Sequence, residues 1–111
     1  MDMKDYQTLA RTTAIYPKEF PLQGVIYTSL CLCGEAGEVA EKVKKYIRDG
    51  GDAEHFKANI SAELGDVLWY LANLAYESNI DLGTVAFDNI RKLQARKERN
   101  TLRGSGDNRW T

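Results

Sequence analysis

Residues 24–48 read GVIYTSLCLCGEAGEVAEKVKKYIR, and residues 53–78 read AEHFKANISAELGDVLWYLANLAYES. Both segments carry apolar residues at spacings of three and four, the period of a helix with one face turned to a protein core. The four residues between them, DGGD, are typical of a tight turn. The segments therefore predict two long helices whose apolar stripes face a bundle core. These stripes are Ile26, Leu30, Cys33, Gly37 and Ala40 in the first segment, and Ile60, Leu64, Val67, Leu71 and Leu74 in the second.

Shorter helical patterns flank this pair, over residues 2–14 and 82–103. Pro17 and Pro21 predict a firm break before the first long helix, because proline lacks the backbone donor that a helix needs. Asp81 is the expected N-cap of the last helix. The prediction is an all-α, four-helix, bundle-like protomer in which residues 1–111 form one domain.

The composition is that of an ordinary globular protein, with 43% apolar and 28% charged residues and a net charge of −1. This charge gives no general attraction to nucleic acid or to an anionic membrane, so neither is an expected partner. No apolar stretch approaches the roughly 18 residues that span a bilayer, and no signal peptide is evident. We therefore expect a cytoplasmic protein.

Carboxylates lie beside the apolar stripes on both long helices. In the second helix, a polar stripe with steps of 3, 4, 3 and 4 contains Glu63, Asp66, Tyr70, Asn73 and Glu77. In the first, Glu35 and Glu38 are one turn apart, where like charges repel. Such acids can simply be solvated, but paired carboxylates on two helices are natural ligands for Mg²⁺ or Mn²⁺. One histidine and no Cys/His ligand set argue against zinc.

The last helix offers polar groups that suit a polyphosphate. Asn89, Lys92 and Arg96 follow each other at steps of 3 and 4 on one face. Cations opposite a metal–carboxylate cluster are the arrangement that phosphoryl chemistry uses, although a solvated basic face remains the alternative. Tyr70, one turn after Asp66, is expected either to stack on a base or to belong to the core.

The chain resembles the MazG-like nucleotide pyrophosphohydrolases of the all-α NTP pyrophosphatase superfamily. The resemblance rests on residues 32–41, LCGEAGEVAE, and on residues 63–71, ELGDVLWYL, which contain the two paired-acid motifs in order. It extends from about Thr28 to Arg109 and includes the weaker Asn-Ile-Arg-Lys-Leu element at residues 89–93.

The resemblance implies Mg²⁺-dependent hydrolysis of (deoxy)nucleoside triphosphates to monophosphate and pyrophosphate. Removal of non-canonical nucleotides is one biological role that such an activity could have. It implies that Glu35, Glu38, Glu63 and Asp66 hold the metal. In the mechanism that we expect, a carboxylate of this group, Glu38 or Glu35, orients or deprotonates the attacking water. Three further residues would contact substrate: Tyr70 the nucleoside, and Asn89 and Lys92 the metal–phosphate end. Arg96 would join Lys92 on the terminal phosphates. Many relatives have an additional Glu where this chain has Gly34, which leaves the general base open.

Two other interpretations fit the same residues. One is phosphoribosyl-ATP pyrophosphohydrolase, which has a related helical fold. The other is a non-catalytic helical dimerisation module that keeps degenerate metal ligands. A ferritin-like di-iron protein is disfavoured because the Glu-x-x-His repeats of that bundle are missing. The length of the apolar stripes, together with the resemblance, predicts a homodimer or homotetramer.

Overall fold

The computed structural model describes residues 1–99, which form four α-helices and contain no strand. The helices are α1 (Met3–Ala10), α2 (Gln23–Asp49), α3 (Ala53–Glu77) and α4 (Leu82–Glu98), and a 3₁₀ turn over Arg11–Thr13 follows α1. The all-α class and the existence of the four predicted helices are confirmed. Residues 100–103, expected at the end of the last helix, lie outside the described residues.

The turn between α2 and α3 forms as the DGGD sequence predicts. Gly50 and Gly51 have positive φ angles of 72° and 124°, a region that glycine enters without a steric penalty. Asp52 then caps α3 by accepting a hydrogen bond from the backbone N–H of His55 at 3.0 Å. The short turn folds α3 back along α2, and these two helices make the most extensive contact in the fold.

The turn between α3 and α4 is also locally encoded. Asn79 adopts a φ of 60°, and the N–H groups of Asn79 and Ile80 donate to the carbonyls of Tyr76 and Ala75. This is the Schellman arrangement that closes a helix C-terminus. Asp81 accepts a hydrogen bond from the N–H of Gly83, which confirms it as the N-cap of α4.

Helix α1 is fastened to this second turn by one buried side chain. Gln7 donates from Nε2 to the carbonyls of Ala72 and Ile80 and accepts at Oε1 from the N–H of Leu82. A small core, made of Ala10, Ala72, Ala75 and Leu82, lies at the same place. Helices α1 and α4 therefore pack at the end of the hairpin where α2 begins and α3 ends.

The apolar stripes of the two long helices, expected to face a bundle core, are covered only in part by residues 1–99: Ile60, Val67 and Leu74 are half-buried, whereas others are exposed. Leu30 is 68% exposed, Leu64 52% and Ile26 48%. The physical reason is coverage. At 1.5 Å per residue α2 is roughly 40 Å long and α1 only roughly 12 Å, and α4 packs against α1 and α3, so much of the hairpin is left uncovered. Despite this exposure, no helix within residues 1–99 is long and apolar enough to cross a membrane.

Candidate metal and nucleotide site

Three of the predicted metal ligands meet at the middle of the hairpin. Glu35 on α2 and Glu63 and Asp66 on α3 each offer a carboxylate oxygen, and the three oxygens lie within 4.8 Å of one another. Glu63 and Asp66 are one turn apart on the same face of α3, and the tight turn at Gly50 and Gly51 brings Glu35 opposite them. We call these three residues the acidic cluster.

The electrostatics of the acidic cluster disfavour three full negative charges in the absence of a cation. Burial raises the pKa of Glu35, and the neighbouring charges of Asp66, Glu63 and Glu38, with a hydrogen bond to Glu63, raise it further. Like charges at this range make the ionised form costly. A bound divalent cation would remove that cost.

The donor set fits Mg²⁺. Oxygens on opposite sides of an octahedral Mg²⁺ are about 4.2 Å apart, because each lies about 2.1 Å from the ion. The three oxygens of the acidic cluster lie within 4.8 Å of one another, a separation comparable with this span. Mg²⁺ usually keeps several waters and takes few protein carboxylates, leaving positions for substrate phosphates.

Glu38 lies outside the acidic cluster. It is exposed, one turn further along α2, and acts on Glu35 through its charge. Its role as a metal ligand or as the group that serves water stays a prediction. Glu41, one turn further along α2, differs from Glu38 because it forms a surface ion pair with Lys44 at 3.0 Å.

The predicted phosphate contacts all belong to α4, which packs against α1 and α3. Asn89 is exposed and Lys92 is half-buried. Arg96 is only 3% exposed, so the alternative of a solvated basic face does not apply to it. That these residues reach the phosphates of a substrate stays a prediction.

Tyr70 lies one helical turn from Asp66, toward the end of the hairpin that carries α1. It is half-buried, and burial is the main reason that its pKa rises to about 12; a hydrogen bond with Cys31 and the charge of Glu35 add to the shift. Cys31 is itself one turn before Glu35 on α2. Tyr70 and Cys31 therefore lie next to the acidic cluster, on the side toward the end of the hairpin that carries α1.

The remaining polar stripe of α3 belongs to a network that the sequence did not predict. Asn73 is fully buried, and its Oδ1 accepts from Arg11 Nη1 at 3.0 Å. Glu77 accepts from Arg11 Nη1 at 2.9 Å and from the hydroxyl of Tyr16. Arg11 is the only arginine before α2. Its isolation in that part of the sequence is the one feature that could have suggested Arg11 as the partner of an acid on α3.

Residues 1–99 are helical and bring three carboxylates together at the centre of a helical hairpin, an arrangement that could hold a divalent cation. The family model described as MazG nucleotide pyrophosphohydrolase domain matches residues 23–101, so the chain belongs to this family. The gene 37 protein of Mycobacterium phage L5 is 46% identical over 114 residues, covering 98% of this chain and all of the relative. No solved structure matches the chain. The matched region begins with α2, so α1 and the loop after it lie outside it.

Proposed function

We propose that the chain hydrolyses (deoxy)nucleoside triphosphates to monophosphate and pyrophosphate with Mg²⁺, or Mn²⁺ in its place. Membership of the MazG family makes it a nucleotide pyrophosphohydrolase in the broad sense. The observation that carries the finer proposal is the acidic cluster, whose three oxygens on the α2–α3 hairpin lie within 4.8 Å of one another.

In this proposal Glu35, Glu63 and Asp66 hold the metal and Glu38 lies at its edge. When bound, Mg²⁺ supplies a Lewis acid for the phosphates and lowers the pKa of a coordinated water. Glu38, exposed and outside the cluster, would orient that water and accept its proton, and Glu35 is the other candidate for that role.

The remaining predicted residues would bind the substrate. Tyr70, one turn from Asp66, would contact the nucleoside, and Asn89, Lys92 and Arg96 of α4 would hold the phosphates beyond the scissile bond. Negative charge then builds on the leaving pyrophosphate, where cations stabilise it best. This arrangement favours cleavage between the α- and β-phosphates.

We also propose that the working form is a homodimer or homotetramer. The exposed residues of the apolar stripes support this, because a continuous apolar face on α2 and α3 is costly in water. The radius of gyration, 16.9 Å, exceeds the roughly 13 Å of a compact domain of about 100 residues. Light scattering should return a multiple of 12.5 kDa, and a monomer at micromolar concentration would refute the proposal.

The reaction is tested with a panel of nucleoside triphosphates, assayed with Mg²⁺ and with a chelator, with products separated by chromatography. We expect monophosphate and pyrophosphate as first products and no turnover with the chelator. Glu63→Gln removes one cluster carboxylate and should reduce kcat/KM at least about 100-fold. Glu41→Gln is the matched control, because it makes the same change on the surface of α2 and should leave turnover within about twofold.

Other products would redirect the assignment. Diphosphate with orthophosphate would place the γ-phosphate at the metals and contradict the roles given to α4. Turnover of phosphoribosyl-ATP alone would select the histidine-pathway activity. No Mg²⁺ binding by calorimetry, together with no turnover, would select the non-catalytic module.

A further inference from the structure

A cavity of about 540 Å³ lies between α1 and the turn that joins α3 to α4, and we call it the α1 cavity. Its volume is within the range of small-molecule sites, roughly 300–1,000 Å³. Tyr76 in its wall is ten residues after Asp66, or roughly 15 Å along α3. The α1 cavity is therefore separate from the site of the proposed reaction. The residues that line it are Lys4, Gln7, Thr8, Arg11, Tyr76 and Asp81.

One wall of the α1 cavity comes from a single face of α1 and the 3₁₀ turn that follows it. Lys4, Thr8 and Arg11 follow each other at steps of four and three, so they lie on the same side of this segment. The two cations are thus placed on one wall. This wall precedes residue 23, where the family match begins, so it is not part of the matched family domain.

Arg11 has hydrogen-bond donors that the protein does not use. Its hydrogen bonds all leave from Nη1, and within residues 1–99 its Nε and Nη2 make none. The side chain is only 18% exposed, and a donor that is largely buried without an acceptor is costly. The guanidinium lies over the Tyr76 ring at 3.9 Å, which supports its plane. Its Nε–Nη2 edge has the shape that binds two oxygens of one phosphate or carboxylate.

The charges around this wall favour an anion. Glu77 is the acid beside Arg11, but Lys18 also contacts Glu77 at 3.6 Å, so two cations share one negative charge. Lys4 is exposed and adds a further cation to the wall. A dianionic phosphate can use both Lys4 and Arg11, whereas a carboxylate carries one charge and is satisfied by the guanidinium alone.

The opposite wall of the α1 cavity offers acceptor oxygens. Asp81 Oδ1 accepts from the N–H of Gly83 at 3.0 Å, and Oδ2 accepts from the Thr84 hydroxyl at 3.3 Å. Each carboxylate oxygen has a second lone pair, and the positive end of α4 offsets the charge of Asp81. Asp81 can therefore accept hydrogen bonds from hydroxyl groups of a ligand whose phosphate lies on the other wall.

We infer that the α1 cavity binds the phosphomonoester of a small hydroxylated molecule, with Lys4 and Arg11 on the phosphate and Asp81 on the hydroxyl groups. The volume favours such a molecule over inorganic phosphate, which would fill only a small part of it. Because Arg11 also bonds to Tyr16 and Glu77, the ligand would stabilise the contact of α1 with α3. The inference requires neither a metal nor hydrolysis, so it is independent of the proposed reaction.

The test titrates the full-length chain with ribose 5-phosphate in the presence of a chelator and follows the backbone amide resonances by NMR. We expect shifts at residues 4–11 and 76–83 and none at Glu35, Glu63 or Asp66. Inorganic phosphate lacks the hydroxyl contacts and should bind about tenfold more weakly. Ribonate, which carries a carboxylate and no phosphate, should also bind about tenfold more weakly. Ribose, which is uncharged, should cause no shift.

Substitutions then locate the phosphate. Lys4→Gln should raise the Kd for ribose 5-phosphate about tenfold, as loss of one charge-assisted hydrogen bond does, and an exposed lysine costs little stability. Arg11→Lys keeps the charge but removes the planar edge, so it should raise the Kd about tenfold or more. Lys57→Gln is the matched control, because Lys57 is an exposed residue of α3 that lies twenty residues, or roughly 30 Å, before Glu77. It should leave the Kd unchanged.

Several results would overturn the inference. An unchanged Kd in Lys4→Gln would do so even if Arg11→Lys fails to fold, and so would shifts confined to the acidic cluster or no shift at millimolar ribose 5-phosphate. Inorganic phosphate that binds as tightly as ribose 5-phosphate would exclude the hydroxyl contacts, and tighter binding of ribonate would exclude the phosphate. Since no arm of the test involves metal or turnover, each of these results leaves the proposed reaction untouched.

Discussion

The polar stripe of α3 has two halves with opposite characters. Near the middle of the hairpin, Glu63 and Asp66 face a third carboxylate, Glu35, whose pKa burial and these neighbours raise. Toward the end of α3, Asn73 is fully buried and Glu77 is paired with Arg11 and Tyr16. The residues are spaced in the same way in both halves, but the charges beside them differ: other carboxylates surround Glu63 and Asp66, whereas the Arg11 guanidinium lies beside Glu77.

The comparison distinguishes two roles of a carboxylate on α3. In the Glu77 half the cation is a side chain of the same chain, so the charge contributes to the stability of the fold. In the acidic cluster the carboxylates add like charge to like charge, which lowers the stability of the metal-free chain and suits a cation from solution. The two halves should therefore respond to neutralisation with opposite signs.

Glu77→Gln should produce the larger effect. It leaves Arg11 without its charged partner, and the loss of one member of a mostly buried polar network costs about 2 kcal/mol. For a domain of about 100 residues this corresponds to a fall in Tm of roughly 10 °C. Thermal denaturation followed by circular dichroism at neutral pH measures it, and an unchanged Tm would contradict the role given to the network.

The same variant carries a pH signature. Burial alone would raise the pKa of Glu77, but hydrogen bonds from Tyr16 and Arg11 and the charges of Lys18 and Arg11 lower it below 4.5. The unfolded state then binds more protons, so the contribution of Glu77 is complete above pH 4.5 and is lost as pH falls through the lowered native pKa. The stability difference between wild type and Glu77→Gln should therefore shrink below pH 4.5.

Gly24 provides an independent way to disturb the same carboxylate. A Cβ at position 24 would lie under 3 Å from the carboxyl of Glu77, whereas a Cβ at Gly34 would meet nothing within 4 Å. Gly24→Ala should thus reproduce part of the Glu77→Gln loss, although alanine favours a helix. Gly34→Ala is the matched control and should stabilise the chain by about 0.5–1 kcal/mol.

The helices were predictable because their signals are local. Gly50, Gly51 and Asp52 mark one turn and Asp81 begins the last helix, within a few residues of where the structure places them. Spacing and the family resemblance together selected Glu35, Glu38, Glu63 and Asp66 as candidate ligands, but they could not show that Glu38 lies outside the group that the structure brings together. By contrast, Gln7 bonds to groups 65 to 75 residues away, and no periodicity encodes such a pairing.

The apolar stripes show a different limit of sequence reasoning. Their period correctly indicated helices with one apolar face, but it could not tell whether that face is covered by the same chain or by another. Leu30 and Leu64 are more than half exposed here. The contact between residues 13–17 and α3 was missed for a related reason. Helical spacing says nothing about a segment outside the helix, such as the one in which Thr13 accepts a hydrogen bond from Trp69 Nε1.

Asp66→Asn should give the smallest change in stability, and its sign is the informative part. In the presence of a chelator the variant removes one charge from a repelling group, and relief of such repulsion is worth about 0.2–0.5 kcal/mol. The Tm should rise by about 1–4 °C. With Mg²⁺ at ten times its Kd, the wild type gains about 1.4 kcal/mol by mass action, and the variant, lacking one ligand, gains much less. The order of the two proteins in thermal stability should then reverse.

Circular dichroism melts with chelator and with Mg²⁺ measure the two Tm values under each condition. Glu41→Gln is the control, because Glu41 pairs with Lys44 on the surface, and this variant should show no reversal. An Asp66→Asn protein that is less stable than wild type even with chelator would mean that the acidic cluster, like Glu77, is held by the chain itself, and the distinction between the two halves of α3 would be lost.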